Sequence, residues 1–326
     1  MNDRLDINEL NQHHKIAVGI SSCLLGEQVR YDGGHKRHSY IVQTLGEYFE
    51  FQGFCPELDI GLGVPRKPIR LKRNRDNTIR CVAIEDDTRD FSEDLRDCAD
   101  RQKPWQQRLC GYILKKDSPS CGMERVRIWD DEMSSRDGVG IYAQRLMDNL
   151  PCLPIEEEGR LGDAILRENF IQRVFALHRW RAFAAAGFSV AGLAEFHARH
   201  KLILMSHDQV FYQKLGQLVA ATTKSNLTDT VHLYLNAFMA ALKIQATREN
   251  HVNVLQHVQG YLKQQLDADE KQELIATIEK YRTSQLPIIV PITLLNHYFR
   301  KFPNEYITNS WYMNPYPAEL SLQNDI

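Results

Sequence analysis

The feature that most constrains this chain is a short apolar run that stops abruptly at a polar loop carrying a cysteine, met three times in the N-terminal half. Ile16–Ile20 runs into Ser21, Ser22 and Cys23 within ISSCLLGEQVRYDGGHKRH (20–38). Tyr48–Phe54 runs into Cys55 within GFCPELDIGLGVPRKPIRLK (53–72), and Leu109–Leu114 is followed by Cys121 within YILKKDSPSCG (112–122). Continuous apolar runs of strand length read as strands buried on both faces, the pattern of parallel sheets. Open α/β sheets take their ligands in the crevice beyond the carboxyl ends of the strands. Three thiols placed after three such strands therefore predict one shared site.

Around these runs, residues 15 to about 155 alternate apolar segments with helical stretches, an α/β signature. Strands are expected at 16–21, 48–54, 79–84, 109–114 and 125–129, with one more at the edge over 150–155. Helices are expected over 91–107 and from 138 to 148. The charge run Glu156–Glu157–Glu158–Gly159 reads as a boundary, after which only helical periodicity remains. Phe170, Val174 and Leu177 share one face of a helix that should stop near Gly187. Ser189 is placed to cap the next helix. Val231, Tyr234, Leu235, Phe238 and Leu242, then Leu255, Val258, Leu262 and Leu266, repeat the spacing. Pro287 and Pro291 should keep the start of LPIIVPITLLNHYFR extended. The expected architecture is an α/β, Rossmann-like N-terminal domain with a mostly parallel sheet (1–158), followed by an all-α C-terminal domain (159–326). A chain of 326 residues is long enough for both cores.

The first stretch, MNDRLDINELNQHH, lacks the basic flank and apolar core of a signal peptide. No run has the roughly 18 apolar residues needed to cross a bilayer. The expected location is the cytoplasm, with no membrane partner, where the seven cysteines would be thiols or ligands rather than disulfides.

Buried cysteines often do no more than pack, and Cys81, Cys98, Cys110 and Cys152 are assigned to that role. Cys23, Cys55 and Cys121 have richer surroundings. Three thiolates on a four-iron cluster leave one iron open, able to act as a Lewis acid toward a soft sulfur. Zinc is the competing metal, although its sites usually draw on closer-spaced pairs. Glu57, two residues past Cys55, can serve as general base or acid. Ser118, three before Cys121, can relay a proton.

ISSCLLG, then CPE with GLGVPR, then SPSCG resemble the TudS-like thiouracil desulfidase family over roughly residues 15–155. The resemblance implies an α/β domain holding a 4Fe–4S cluster on Cys23, Cys55 and Cys121, with Glu57 and Ser118 as acid–base residues. HKLILMSHD (200–208), HVNVLQHVQGYLK (251–263) and LPIIVPITLLNHYF (286–299) resemble the YbgA-type domain. The pairing is similar to RudS-type desulfidases and implies removal of sulfur from 4-thiouridine in tRNA, or from small thiolated uracil bases and nucleosides. The helical domain would then bind RNA or act as an accessory. In the expected mechanism, the open iron polarises the thiocarbonyl, Glu57 activates water and Ser118 assists proton transfer, with no net electron transfer.

Arg66, Lys67, Arg70, Lys72, Arg73, Arg75 and Arg80 follow the CPE motif with only Asp76 nearby in sequence. Beside a site that handles a nucleotide, such cations would contact phosphates; the first five are the expected substrate or RNA contacts. Gly33, Gly34, His35, Lys36 and Arg37 offer a second phosphate or base contact, or simply a turn. From Arg160 onward there are 17 basic against 14 acidic residues, a mild positive tilt. His200, His207, His251 and His257 read as structural rather than metal-ligating. Trp180, Phe211, Tyr212 and Tyr234 fit a helical core. The contrasting expectation is a non-catalytic iron–sulfur protein that binds RNA or senses oxidation, for which the Glu57 and Ser118 flanks would have no use.

Overall fold

The computed structural model describes residues 15–130 and 133–320. The chain divides into two compact units, one ending at Gly162 and the other beginning at Asp163.

Among the described residues the first unit holds eight strands: β1 (Ile16–Ser21), β2 (Phe49–Phe54), β3 (Ile69–Arg73), β4 (Ile79–Ala83), β5 (Gly111–Leu114), β6 (Val126–Asp130), β7 (Met133–Gly138) and β8 (Ile155–Glu157). They form two sheets. One is all parallel, in the order β2-β1-β5-β8. β1 is buried along most of its length because both its edges are paired and both its faces are covered. Gly19 is required there: a Cβ would stand 2.4 Å from the Tyr112 ring. The chain moves from β1 to β2 on one side and later returns to β5 on the other. The order therefore reverses between β1 and β5, and the loops after these strands part over a crevice.

The second sheet, β4-β3-β6-β7, is mixed: β3 pairs β4 antiparallel and β6 parallel, and β6 pairs β7 antiparallel. β3 lies in what reads by sequence as a basic loop. Its Ile69 and Leu71 point inward while Arg70 and Lys72 are half-buried on the other face. β7 has no apolar pattern and is held by its pairing with β6. The helices Ser92–Gln106 and Ile141–Asn149 pack on one another, close to the expected positions.

The Glu156–Glu158 run lies just before the division at Gly162 and is built into the first unit. Glu156 and Glu157 belong to β8, and all three residues are buried. Each carboxylate has a partner. Glu156 accepts from Arg160 Nε at 2.5 Å, and Glu157 accepts from the Met123 amide at 2.6 Å. Glu158 takes the Lys115 ammonium. Buried carboxylates persist only where donors or cations meet them, and here they do.

The second unit contains, among the described residues, eight helices: Ala164–Ala185, Val190–His207, Gln209–Ala220, Leu227–Lys243, Arg248–Gly260, Ala268–Arg282, Ile289–Lys301 and Glu305–Thr308. Side chains of Asp163, Ser189, Asp208, Thr247, Asp267 and Asn304 accept the first backbone N–H groups of six of them, each such cap contributing about 1 kcal/mol. Gly187 follows the first helix at φ +89°. Pro291 lies inside Ile289–Lys301, in the first turn where no N–H is needed, so the segment is helical earlier than expected. Trp180 stacks on Tyr234 at 5.6 Å within an aromatic core that includes Phe196 and Phe238. Phe211 and Tyr212 are half-buried. No described helix is long and apolar enough to cross a membrane.

Candidate active site

A cavity of about 370 Å³ opens over the crevice between β1 and β5. Cys23, Cys55, Cys121, Glu57, Ser118 and Arg66 all line it.

Each arrives by its own local device. Cys23 follows β1 in a turn whose far side is held by the Lys36 amide donating to Cys23 O at 2.8 Å. Cys55 ends β2 and is the N-cap of the short helix Pro56–Asp59, where Pro56 occupies the first helical position and places Glu57 one residue in. Ser118–Cys121 forms a tight turn after Asp117, which sits at φ +59°. Ser118 Oγ accepts from the Cys121 amide at 3.1 Å and from the Ser120 amide at 3.3 Å. This turn is pressed against the start of helix Ile141–Asn149, where a Cβ on Gly140 would stand 2.5 Å from Ser120 O.

Burial raises all three thiols. Cys23 is pushed up to about 11, opposed by the Lys115 ammonium and reinforced by a neighbouring Cys55 thiolate. Cys55 is raised by burial, opposed chiefly by the Leu58 amide. Cys121 is raised further by burial, with Cys55 and Glu57 adding repulsion. Three mutually repelling, desolvated thiols ionise readily only against a bound cation, which deprotonates a coordinating thiol outright. The donor set therefore fits an iron–sulfur cluster. Among the described residues, no three His, Cys, Asp or Glu side chains are gathered to hold one metal ion. Thiolates that each hold a different iron of a cluster need not converge on a point.

Glu57 is gripped from two sides. Arg66 Nε and Nη2 donate to its Oε2 at 2.9 and 2.6 Å, and Ser120 Oγ donates to its Oε1 at 2.6 Å. The Glu57 and Arg66 side chains are 13% and 6% exposed, so the pair is largely shielded from solvent. Ser120, inside the SPSCG motif, receives no role from sequence alone; only its bridging position reveals one.

The basic stretch divides. Arg66 lines the cavity, whereas Lys67, Arg70, Lys72 and Arg73 do not. Lys67 pairs with Glu85, Arg70 and Lys72 both pair with Asp87, and Arg73 pairs with Asp137. The fold thus supplies the counter-charges that the local sequence lacks. Lys36 and Lys116 line the cavity, and neither has a carboxylate within ion-pair distance among the described residues.

The other candidates are structural. Cys81, Cys98 and Cys110 are buried outside the cavity lining, and Cys152 is half-buried. His200 is held through Nδ1 by Phe196 O at 2.8 Å. His207 lies between Ile244 O and Gln172, and His251 meets the Tyr312 hydroxyl at 2.9 Å; His257 is exposed.

Residues 18–158 match the family model described as 2-thiouracil desulfurase, and residues 201–317 match the model described as protein of unknown function (DUF1722). The protein YbgA of Escherichia coli (strain K12) is 33% identical over 152 residues, which span 46% of this chain and 90% of that protein. A solved [4Fe–4S]-dependent thiouracil desulfidase, TudS, aligns with 28% identity and a TM-score of 0.37 over 46% of this chain and 95% of its own. The chain belongs to the YbgA family, and joins a DUF1722 domain to a 2-thiouracil desulfurase domain.

Proposed function

We propose that the protein is an iron–sulfur desulfidase that replaces the sulfur of a thiolated uracil with oxygen, its substrate being 4-thiouridine in tRNA, with 4-thiouracil as a smaller alternative. One observation carries the reading: three cysteines, Glu57 and Ser118, drawn from three separate loops, line a single cavity where the strand order reverses. The desulfurase family match over the same residues agrees with it.

A [4Fe–4S] cluster held by Cys23, Cys55 and Cys121 would supply a Lewis-acidic iron for the substrate's sulfur. The protein's own groups do the rest. Phe54, Val29 and Ile69 offer apolar walls for a pyrimidine ring. Glu57, fixed by Arg66, takes a proton from the water that attacks the carbon bearing sulfur. Ser118 returns a proton as the carbon–sulfur bond breaks. Water adds, sulfide leaves, and no electrons are exchanged. Lys36 and Lys116, cations at the cavity with no carboxylate partner among the described residues, suit the phosphates of a nucleotide better than the neutralised Lys67, Arg70, Lys72 and Arg73.

The test is anaerobic purification, iron and sulfide counts, then sulfide release from 4-thiouracil and from thiolated tRNA. A cluster with turnover on both and a preference for tRNA is expected. Turnover of neither would end the reading.

A further inference from the structure

Ser120 is completely buried, and its hydroxyl lies between Ser118 Oγ at 2.9 Å and Glu57 Oε1 at 2.6 Å. Each group's bonding capacity fixes the direction of this chain. A carboxylate only accepts, and at 2.6 Å it stands much nearer than Cys121 Sγ, the other acceptor Ser120 Oγ meets at 3.6 Å, so the single Ser120 proton goes to Glu57. Ser118 Oγ already accepts from the Cys121 and Ser120 amides. Its own proton is therefore the one that points at Ser120. The carboxylate's other oxygen, Oε2, is filled by two guanidinium N–H groups, and Arg66 is itself anchored to Val29 O and Gly63 O at 3.0 and 2.8 Å. Oε1 is the oxygen left to take a proton, and Ser120 stands on it.

We infer that Ser120 is the link through which protons pass between Ser118 and Glu57, which both line the cavity, with Arg66 as the residue that turns Oε1 toward it. The inference rests on the desulfidation reading and adds to it a route. When water attacks the thiolated carbon, its proton passes to Ser118 Oγ, the Ser118 proton to Ser120 Oγ, and the Ser120 proton to Glu57 Oε1. Three O–H bonds break, three form, and no electron pair leaves oxygen. The reverse shift protonates the departing sulfur. Ser120 has no exposure to solvent, so its hydroxyl meets only protein groups. Ser120 acts through its neighbours and is a positioning residue, not one that touches substrate.

Three measurements test this. In single turnovers of the unmutated holoenzyme across mixtures of light and heavy water, several protons in flight give a curved dependence of rate on deuterium fraction. A straight line would overturn the relay, and this measurement needs no variant to fold. In Ser120→Ala, kcat should fall by about 10²-fold with KM and iron content near wild type, and Ser120→Thr, which keeps a hydroxyl, should recover most of the rate. A Ser120→Ala enzyme within twofold of wild type would remove Ser120 from the route. The Glu57 carboxylate infrared band, assigned by difference against Glu57→Gln, should shift in Ser120→Ala and stay in place in Ser120→Thr; no shift would mean that the bridge is absent. Failure of the relay leaves wild-type sulfide release intact, whereas failure of the desulfidation reading abolishes it.

Discussion

Lys115, one residue past β5, and Glu158, one residue past β8, meet in an ion pair at 2.5 Å, while the Lys116 amide donates to the other Glu158 oxygen at 2.7 Å. The pair ties the loop carrying Ser118 and Cys121 to the edge of the parallel sheet. It also holds a cation beside Cys23, whose thiolate it favours. The side chains are 16% and 8% exposed. Removing one member of so buried a pair leaves the other desolvated and unpaired, a loss of about 3 kcal/mol. Glu158→Ala should therefore lower the unfolding midpoint and reduce iron retention together. Unfolding curves and iron counts on the same preparation check this; an unchanged midpoint would show the pair to be dispensable.

Iron and colour should disappear when Cys23, Cys55 or Cys121 becomes Ala, and survive in Cys98→Ala and Cys152→Ala. The first three line the cavity and the other two do not. Visible absorption with iron and sulfide counts decides it. A Cys121→Ala protein with full iron would dismantle the three-ligand site.

Glu57→Gln and Ser118→Ala should keep the cluster and lose turnover by about 10²–10⁴-fold, the range for a positioned acid or base. Sulfide release is the measurement. Near-normal rates in Glu57→Gln would remove that residue from the chemistry.

Charge reversal at Lys36 and Lys116 should weaken turnover of thiolated tRNA and leave 4-thiouracil nearly untouched. The slope of log affinity against log salt should become shallower by about one for each lysine–phosphate pairing removed. Reversal at Arg70 and Lys72 would instead free Asp87, which those cations hold below the usual carboxylate range. Its effect should fall on stability rather than on tRNA. Equal losses on both substrates in the Lys36 and Lys116 variants would show damage to the site itself.

The helical unit should be most stable near pH 6.5. Burial lowers His197 and His207 to about 4 and His251 to about 3. A histidine depressed in the folded state binds fewer protons there than when unfolded, so stability rises with pH until the unfolded value near 6.5. Burial raises Glu168 to about 7. A raised carboxyl works the other way, and stability falls as pH climbs from about 4.5 to 7. Those three histidines, with His178 and His200, which burial also lowers, outweigh one glutamate on the acid side, and the glutamate governs just above 6.5. Melting temperatures of the full chain across this range should show the rise. Glu168→Gln should gain more over wild type at about pH 8 than at about pH 5; equal gains would mean that Glu168 ionises freely.

The parallel sheet and the cysteine-bearing loops were legible because fully buried strands write continuous apolar runs and the three motifs follow them. β3 was not, because Arg70 and Lys72 on one face mask Ile69 and Leu71 on the other. β7, with five of its six residues exposed, carries no pattern at all. The burial of Glu156–Glu158 was not legible, because their partners, Lys115, Arg160 and the amides at Met123 and Glu124, are gathered by the fold. The same holds for the basic stretch, whose counter-charges come from Glu85, Asp87 and Asp137. Residue types announced the chemistry; burial and pairing decided which charges remain available for it.

β8 has a consequence for how this architecture can be taken apart. The strand that closes the parallel sheet is also the last stretch of chain before the helical unit, and Arg160 beyond it is fastened to Glu124 and Glu156. Asp163 already belongs to the other side, where its carboxylate caps the helix that follows. The two compact units thus divide between Gly162 and Asp163 with few residues to spare on either side. A graft made a few residues upstream would carry away Glu158, the counter-ion of Lys115, and leave the first unit with a loosened mouth.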